Sequence, residues 1–406
     1  MSEAVDTPLF DPFAPGFTDD PYPHYARLRE QEPAHQHPLG FWILTRYDDV
    51  AALLKSGNSV DDDNLAEGPM RDLIRSTYQH DGPQLRGSSM LDRDPPDHTR
   101  LRRLVAKAFT VRAVESLRPR IAALVDAMLD DVEGAGTFDL IEALAFPLPF
   151  AVITEMLGMP DVDTVRLREL TGTVVRSLEP VVDPDLMTRI QAADAELAEV
   201  AAEAIAWKRR NPGDDLLTAL IEAEEDGDQL TDEDLIAQVA LLYVAGHETT
   251  VNLIGNGVHA LLRHPEQYAR LREEPGLAAS AVEEMLRYDS PVQSSRRITL
   301  APYRVGDVEI PEGAFVNASL ASANRDAGYW GEDADELRLD REGARRHVSF
   351  GAGPHHCLGA ALARLEGAVA LERLMTRLPS LELAGDVEWN GRINLRGLTT
   401  LPVSSH

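Results

Sequence analysis

The stretch from about Asp232 to Arg263 leaves few folds open. Thr231-x-x-Asp234 has the form of a helix capping box, in which a hydroxyl and a carboxylate satisfy each other's first-turn N–H groups, and His264-Pro265 closes the segment. The helix between is roughly 45–50 Å long at ~1.5 Å per residue, enough to cross a whole domain. A helix in that position is buried, yet its middle, Tyr243-Val244-Ala245-Gly246-His247-Glu248-Thr249-Thr250, is not built for a core. Gly246 weakens the helix by about 1 kcal/mol, and threonine hydroxyls bend helices by bonding the carbonyl one turn back. Such local inconsistency marks function. His247 lies about 100° around the helix from Gly246 and reads as a packed or hydrogen-bonded histidine rather than a ligand.

The only cysteine of the chain lies in Phe350-Gly351-Ala352-Gly353-Pro354-His355-His356-Cys357-Leu358-Gly359-Ala360. A lone cysteine forms no internal disulfide, and a tetrahedral zinc or iron–sulfur site needs partners that are missing. The apolar run from Leu358 through Ala363 reads as a helix starting directly after the sulfur. N–H groups and the positive end of the helix dipole there favour a thiolate, which predicts a lowered thiol pKa and one open metal coordination. Taken alone, the residues also allow a structural cysteine in a glycine turn.

Phe350-Gly351-x-Gly353-x-His355-x-Cys357-Leu358-Gly359 resembles, position for position, the cysteine-ligand loop of the cytochrome P450 family. The resemblance implies that Cys357 is the axial thiolate of a haem b iron, that Phe350, Gly351 and Gly359 pass the chain under the macrocycle, and that His355 bonds a propionate. It extends to the long helix, where Ala245, Gly246, Glu248 and Thr249 match the family's Ala-Gly-x-acid-Thr motif. There Ala245 and Gly246 make room over the haem for dioxygen and substrate, while Glu248 and Thr249 relay protons.

Upstream, Asp94-Pro95-Pro96-Asp97 opens a helix on which His98 and Arg102 share one face. In the family this pair bonds propionates, a task for which a guanidinium with paired donors is well made. Arg297, counted back from Ile310-Pro311, matches the family's other propionate arginine, with Arg296 left open. Glu284-x-x-Arg287 is an i, i+3 pair, common and minor on a surface but structural in the family, where it fixes the stretch before the cysteine loop. Arg100, Arg103 and Lys107 fall on the face opposite His98. With Arg345, Arg346 and Arg364 around the loop they should form a basic island for an acidic, ferredoxin-type redox partner.

The remaining pattern is mainly α with a smaller β region, as the cytochrome P450 fold requires. Helices are expected at Tyr22–Arg29, Tyr47–Ser56, Met70–Tyr78, Ala113–Val132, Ile141–Leu157, Val162–Leu178, Asp185–Arg210, Leu216–Glu225 and from Leu358 to about Arg377, with strands at Gly40–Thr45 and after Arg296. Leu178 to Asp185, with Pro180 and Pro184, reads as a mobile connection. No linker or repeat divides residues 1–406, so one domain is expected, with residues 1–19 flexible.

A net charge of −29 argues against nucleic acid or an anionic membrane as a partner. No window approaches the ~20 apolar residues of a membrane span, and the first residues lack a basic, then apolar leader, so a soluble cytoplasmic protein is expected. The resemblance implies a monooxygenase that hydroxylates or epoxidises an apolar natural product of polyketide, terpenoid or steroid type. Its substrate contacts would lie around 57–92, 172–185, Ala245, Val292-Gln293 and Leu398-Thr399. Two other readings are a peroxide-driven peroxygenase, which has no need of the acid and alcohol, and a non-enzymatic haem sensor, which has no need of a roomy pocket.

Overall fold

Thr231 and Asp234 do form the capping box: the Thr231 hydroxyl accepts from the Asp234 N–H at 3.1 Å, and the Asp234 carboxylate accepts from the Thr231 N–H at 3.0 Å. The helix they open runs unbroken to Leu262. A computed structural model describes residues 9–78, 87–159, 163–180, 183–225 and 227–405. The helices that matter for the site are α1 (Asp97–Ala108), α2 (Thr164–Val174), α3 (Pro184–Arg210), α4 (Asp232–Leu262), α5 (Ala278–Tyr288) and α6 (Ala360–Arg377). The strands are β1 (Ala34–Gln36), β2 (Trp42–Leu44), β3 (Ser294–Ile298), β4 (Phe315–Ser319), β5 (Glu388–Trp389) and β6 (Leu398–Thr400). The fold is mainly α with small sheets, as expected.

Helix α4 is shared by two apolar cores. Its N-terminal half, through Leu242 and Val244, packs with Leu101 and Leu104 of α1, Leu167 of α2 and Leu197 of α3. From Val251 onward it packs with Val282 and Met285 of α5 and Leu365 of α6. Gly257 lets α5 come close, since a Cβ there would stand 2.6 Å from the Met285 Sδ. The two cores change over at residues 245–250, the stretch whose composition does not suit a core.

A four-stranded sheet in the order β1-β2-β4-β3 carries Arg296 and Arg297. Strand β3 runs antiparallel to β4, with Arg296 opposite Asn317 and Arg297 opposite Val316. Successive side chains on a strand point to opposite faces, so the two arginines reach different surroundings. Strands β5 and β6 pair antiparallel and hold the chain between them as a loop.

Several expected elements are subdivided. The segment expected as one helix at Ala113–Val132 is two, Val111–Ser116 and Arg118–Asp130, because Pro119 suits only the first turn of a helix. Ile141–Leu157 is a π-helical turn, Ile141–Ala145, followed by Pro147–Leu157. Helix α2 passes into a 3-10 turn, Val175–Leu178, and the helix from Leu216 stops at Glu222, before a short hairpin of Glu224–Glu225 with Asp228–Gln229. Of the stretch expected to be flexible, residues 1–8 lie outside the described residues. Phe10 and Phe17 are buried against Tyr25, Leu28 and Ile43, because two adjacent aromatics have apolar surface to hide.

The Glu284–Arg287 pair is wholly buried. Arg287 gives two bonds of 2.7 Å to Glu284 and donates to the carbonyls of Asn324, Ala334 and Glu336. Glu284 also accepts from the Arg338 N–H and from Arg341, each at 3.0 Å. Removing one member of such a pair strands its charge without water. Arg287→Ala should therefore cost about 3–5 kcal/mol in denaturant unfolding, whereas Arg304→Ala, in the exposed pair with Glu309, should change stability by at most about 1 kcal/mol.

Candidate functional site

The chain reaches Cys357 through backbone that only glycine adopts easily. Gly351 and Gly353 have φ of +68° and +70°, and a Cβ at Gly353 would lie 2.5 Å from the Leu54 carbonyl oxygen. The loop closes on itself: the Cys357 N–H donates to the Phe350 carbonyl at 2.8 Å and the His356 N–H to the Gly353 carbonyl at 3.1 Å. Helix α6 begins at Ala360 with Gly359 as its cap, so the sulfur precedes the first turn. The Cys357 side chain keeps accessible surface although protein surrounds it, as expected for the wall of an internal cleft.

The expected lowering of the Cys357 pKa does not hold. Burial pushes the thiol up, and the Gly359 and Ala360 N–H groups with the Arg102 and Arg364 charges only partly offset this. The donors that favour a thiolate are in place.

Four of the predicted residues gather beside the loop. The His98 ring packs on that of His355, centroids 4.1 Å apart. His98 is buried with Nε2 unpartnered, and Arg102 of the same helix face donates to the His356 carbonyl at 2.6 Å. Arg297 is 2% exposed, and its guanidinium touches the Ser295 hydroxyl and the carbonyls of Arg296 and Leu54. Among the described residues no carboxylate lies within ion-pair distance of it, and burial pushes its pKa down to about 10. Arg296, by contrast, is bound on the other face of β3 to Asp62 at 2.7 Å and Asp92 at 3.0 Å. Burial, then the neighbouring cations, pushes His355 down to about 3. A cavity of about 190 Å³ opens at Arg297 and His355, walled by Asn58, Asp94 and Pro354.

Among the described residues these donors bond no carboxylate, since Asp94 in the cavity wall is taken up by the Ser59 hydroxyl and the Val60 N–H. A buried polar atom left unpaired, as His98 Nε2 is, costs about 1–3 kcal/mol, and the buried Arg297 charge has only neutral acceptors, so the site fits a group that brings carboxylates. Among the described residues no cluster of three His, Cys, Asp or Glu could hold a metal. A metal at Cys357 therefore fits a cofactor carrying its own ligands, as haem does.

In α4 the Ala245 side chain is exposed although its neighbours Val244 and His247 are buried, and a Cβ added at Gly246 would stand 3.9 Å from the Ile153 Cδ1. Thr249 donates to the Ala245 carbonyl at 2.9 Å and Thr250 to the Gly246 carbonyl at 3.3 Å, both without breaking the helix. Glu248 is bound to Arg392 at 2.7 Å, a partner 144 positions away that carries no signal of its own in the sequence. His247 is a packing residue: it is buried between Phe146 and Phe150, its Nε2 lies 3.2 Å from the Phe146 carbonyl, and burial pushes its pKa down to about 4.

The basic island is smaller than helix periodicity suggested. Arg100 is taken up by Asp234 at 2.8 Å and Asp228 at 3.5 Å, and Lys107 donates to the Glu224 carbonyl, so both serve the acidic hairpin beside the start of α4. Arg345 and Arg364 converge on Glu283 at 3.2 and 2.8 Å, beside the cysteine loop, and Arg364 lies over the Phe350 ring at 4.5 Å. Of the expected substrate-facing segments, residues 79–86 and 181–182 lie outside the described residues. The expected mobile connection is anchored at its start, since Glu179 is buried and accepts three backbone N–H groups from residues 393–395.

The family model Cytochrome P450 matches residues 41–388. The chain is 45% identical to Cytochrome P450 107B1 of Saccharopolyspora erythraea, covering 96% of both chains. It is 41% identical to the Vitamin D(3) 25-hydroxylase of Pseudonocardia autotrophica, over 98% of this chain and 97% of that one. A solved structure of the Bacillus subtilis bacillaene polyketide synthase cytochrome P450 PksS superposes with a TM-score of 0.88 at 37% identity, over 98% of this chain and 99% of that one.

The Glu283 network beside the loop predicts an acid-sensitive term in stability. Burial opposes its ionisation, but bonds from His347 and Arg364 outweigh this and hold its pKa at about 2, against 4.5 for a free glutamate. A carboxylate with a depressed pKa stabilises the fold above the unfolded value and loses that contribution as pH falls through the folded one. Stability should drop between about pH 4.5 and 2, and Glu283→Gln should flatten that part of the unfolding curve.

Proposed function

This chain belongs to the cytochrome P450 family, oxygen-incorporating oxidoreductases that use haem b; from that premise we propose that it hydroxylates or epoxidises an apolar natural product of polyketide, terpenoid or steroid type, with Cys357 as the iron ligand. The observation that carries the assignment is the pair of buried groups His98 and Arg297, which bond no carboxylate among the described residues, beside a lone cysteine on a glycine-shaped loop. The substrate class draws support from the names of two relatives, one a vitamin D(3) hydroxylase and one of a polyketide synthase.

In this reading His98, Arg102, Arg297 and His355 hold the haem carboxylates, and Phe350, Gly351 and Gly359 shape the loop beneath the ring. When bound, the haem supplies the reduction and activation of dioxygen. The protein's own work is placement and proton delivery. Ala245 and Gly246 keep the helix face open where substrate and oxygen must approach. Thr249, now bonded to the Ala245 carbonyl, can turn its hydroxyl toward that face, and Glu248 supplies a carboxyl one residue away. The acid and alcohol favour oxygen over peroxide as the oxidant, because a peroxide already carries the protons they would deliver. A ferredoxin-type donor would dock at the basic residues nearest the loop, Arg345, Arg346 and Arg364, with Arg103 as a flanking contact. Arg100 and Lys107, bonded toward the hairpin, would flank that docking set from the far side of α1.

Acid and alcohol should fail differently. Thr249→Ala should let cofactor oxidation continue while product per cofactor falls about tenfold and hydrogen peroxide rises to match. Glu248→Gln should slow cofactor use and product together, by about 10²-fold, the low end of general acid–base effects. Thr250→Ala serves as the control, since its hydroxyl bonds the next carbonyl and its side chain is buried. Product, peroxide and cofactor measured together decide the matter, and intact coupling in Thr249→Ala would remove Thr249 from the relay.

A further inference from the structure

Glu248, Asn252 and Asn256 stand one turn apart on α4 and so share a face, which meets the loop between β5 and β6. Glu248 accepts from Arg392 Nη1 at 2.7 Å, both side chains being 14% exposed. Asn256 donates to the Arg396 carbonyl at 3.0 Å, and Asn252 lies so close to Gly397 that a Cβ there would stand 1.9 Å from its Oδ1. The loop is therefore seated on the helix face that begins with the acid.

Its other side is held by the segment leading from α2 to α3. Glu179 accepts the N–H groups of Ile393 and Asn394 at 2.9 Å each and of Leu395 at 2.7 Å. Asn394 donates to the Leu178 carbonyl at 3.3 Å and accepts from the Ser294 N–H and hydroxyl. A charged acceptor with three convergent donors is a strong, directional contact. Glu179 follows the 3-10 turn that ends α2, so displacing that turn pulls on residues 393–395, and Arg392 is the next residue along the chain. Among the described residues, the only side-chain hydrogen bond of Arg392 runs to Glu248 through one nitrogen, so the position of the carboxylate's partner depends on the turn that carries it.

We propose that Arg392 is a positioning residue for Glu248, and that Glu179 couples its seating to the 3-10 turn Val175–Leu178. The inference rests on reading Glu248 as the proton-delivering acid. Protons and electrons follow the established reaction unchanged; the ion pair only fixes where the carboxyl group stands.

The test uses the haem-loaded full chain and three variants, Arg392→Gln, Arg392→Lys and Glu179→Gln. In Arg392→Gln, product formation should fall about tenfold while substrate affinity from the haem spectrum stays within about twofold, because the ion pair serves the acid and not the ligand. Arg392→Lys should recover most of the rate, since one nitrogen suffices for the pair. A readout independent of turnover is amide hydrogen exchange. Glu179→Gln should speed exchange at residues 393–395 by about tenfold or more and slow product formation in the same sense as Arg392→Gln. Parental turnover in Arg392→Gln, with Glu248→Gln slow, overturns the positioning role alone. Parental turnover in Glu248→Gln overturns the relay reading and this inference with it. Faster exchange at 393–395 with an unchanged rate in Glu179→Gln overturns the coupling to the 3-10 turn Val175–Leu178.

Discussion

The buried Glu284–Arg287 pair is the constraint on which the site depends. Chain from Asn324 to Gly359 has little regular structure, so its path is set by side chains and not by a helix or sheet ladder. Arg287 gathers the carbonyls of Asn324, Ala334 and Glu336, and Glu284 takes Arg338 and Arg341, so one ion pair on α5 fixes the irregular stretch from its start to Arg341. Asn324 then bonds Ser290, Ser349 and the Val348 N–H, which carries the constraint to the threshold of the cysteine loop. A buried pair is poor evidence of net stability, but with all five Arg287 donors engaged it specifies one path of the chain.

Electrostatics at the site run against those of the molecule. A chain with 68 acidic and 39 basic residues could readily pair its interior arginines, and it does so for Arg287, Arg296 and Arg341. Arg297 and His98 differ, buried side by side with the loop and without a bonded carboxylate among the described residues. The alternation of β3 produces this difference between adjacent arginines: one face of the strand meets Asp62 and Asp92, the other meets the site. Donors held in this way favour an incoming dianion, because their desolvation is already complete before it binds.

The sequence was legible where chemistry is local. The capping box, the glycine-shaped cysteine loop and the placing of His98 and Arg102 on one helix face all depend on a few residues, and in the structure both side chains of that face meet the loop. What it could not show depends on long separations or on surroundings. Arg392 lies 144 positions from Glu248 and sits in an unremarkable Asn-Gly-Arg turn. Arg100 looked available because helix periodicity reports a face but not what packs on it, and an acidic hairpin does. The thiol failed the dipole argument because burial is a tertiary property, and it outweighed the nearby N–H groups. Glu366, buried on α6 with Oε2 unpartnered and its pKa pushed up to about 8, carried no sequence signal beyond an apolar setting.

The proposed chemistry turns on Cys357 presenting a sulfur to the iron of a haem seated among His98, Arg102, Arg297 and His355. The most direct measurement is the absorption spectrum of the reduced, haem-loaded protein under carbon monoxide, for the parent and for Cys357→His. The parent should show the red-shifted band of thiolate ligation, and Cys357→His should lose it with haem still bound. A parent without that band, or a Cys357→His variant that keeps it, would contradict the assignment of Cys357 as the iron ligand.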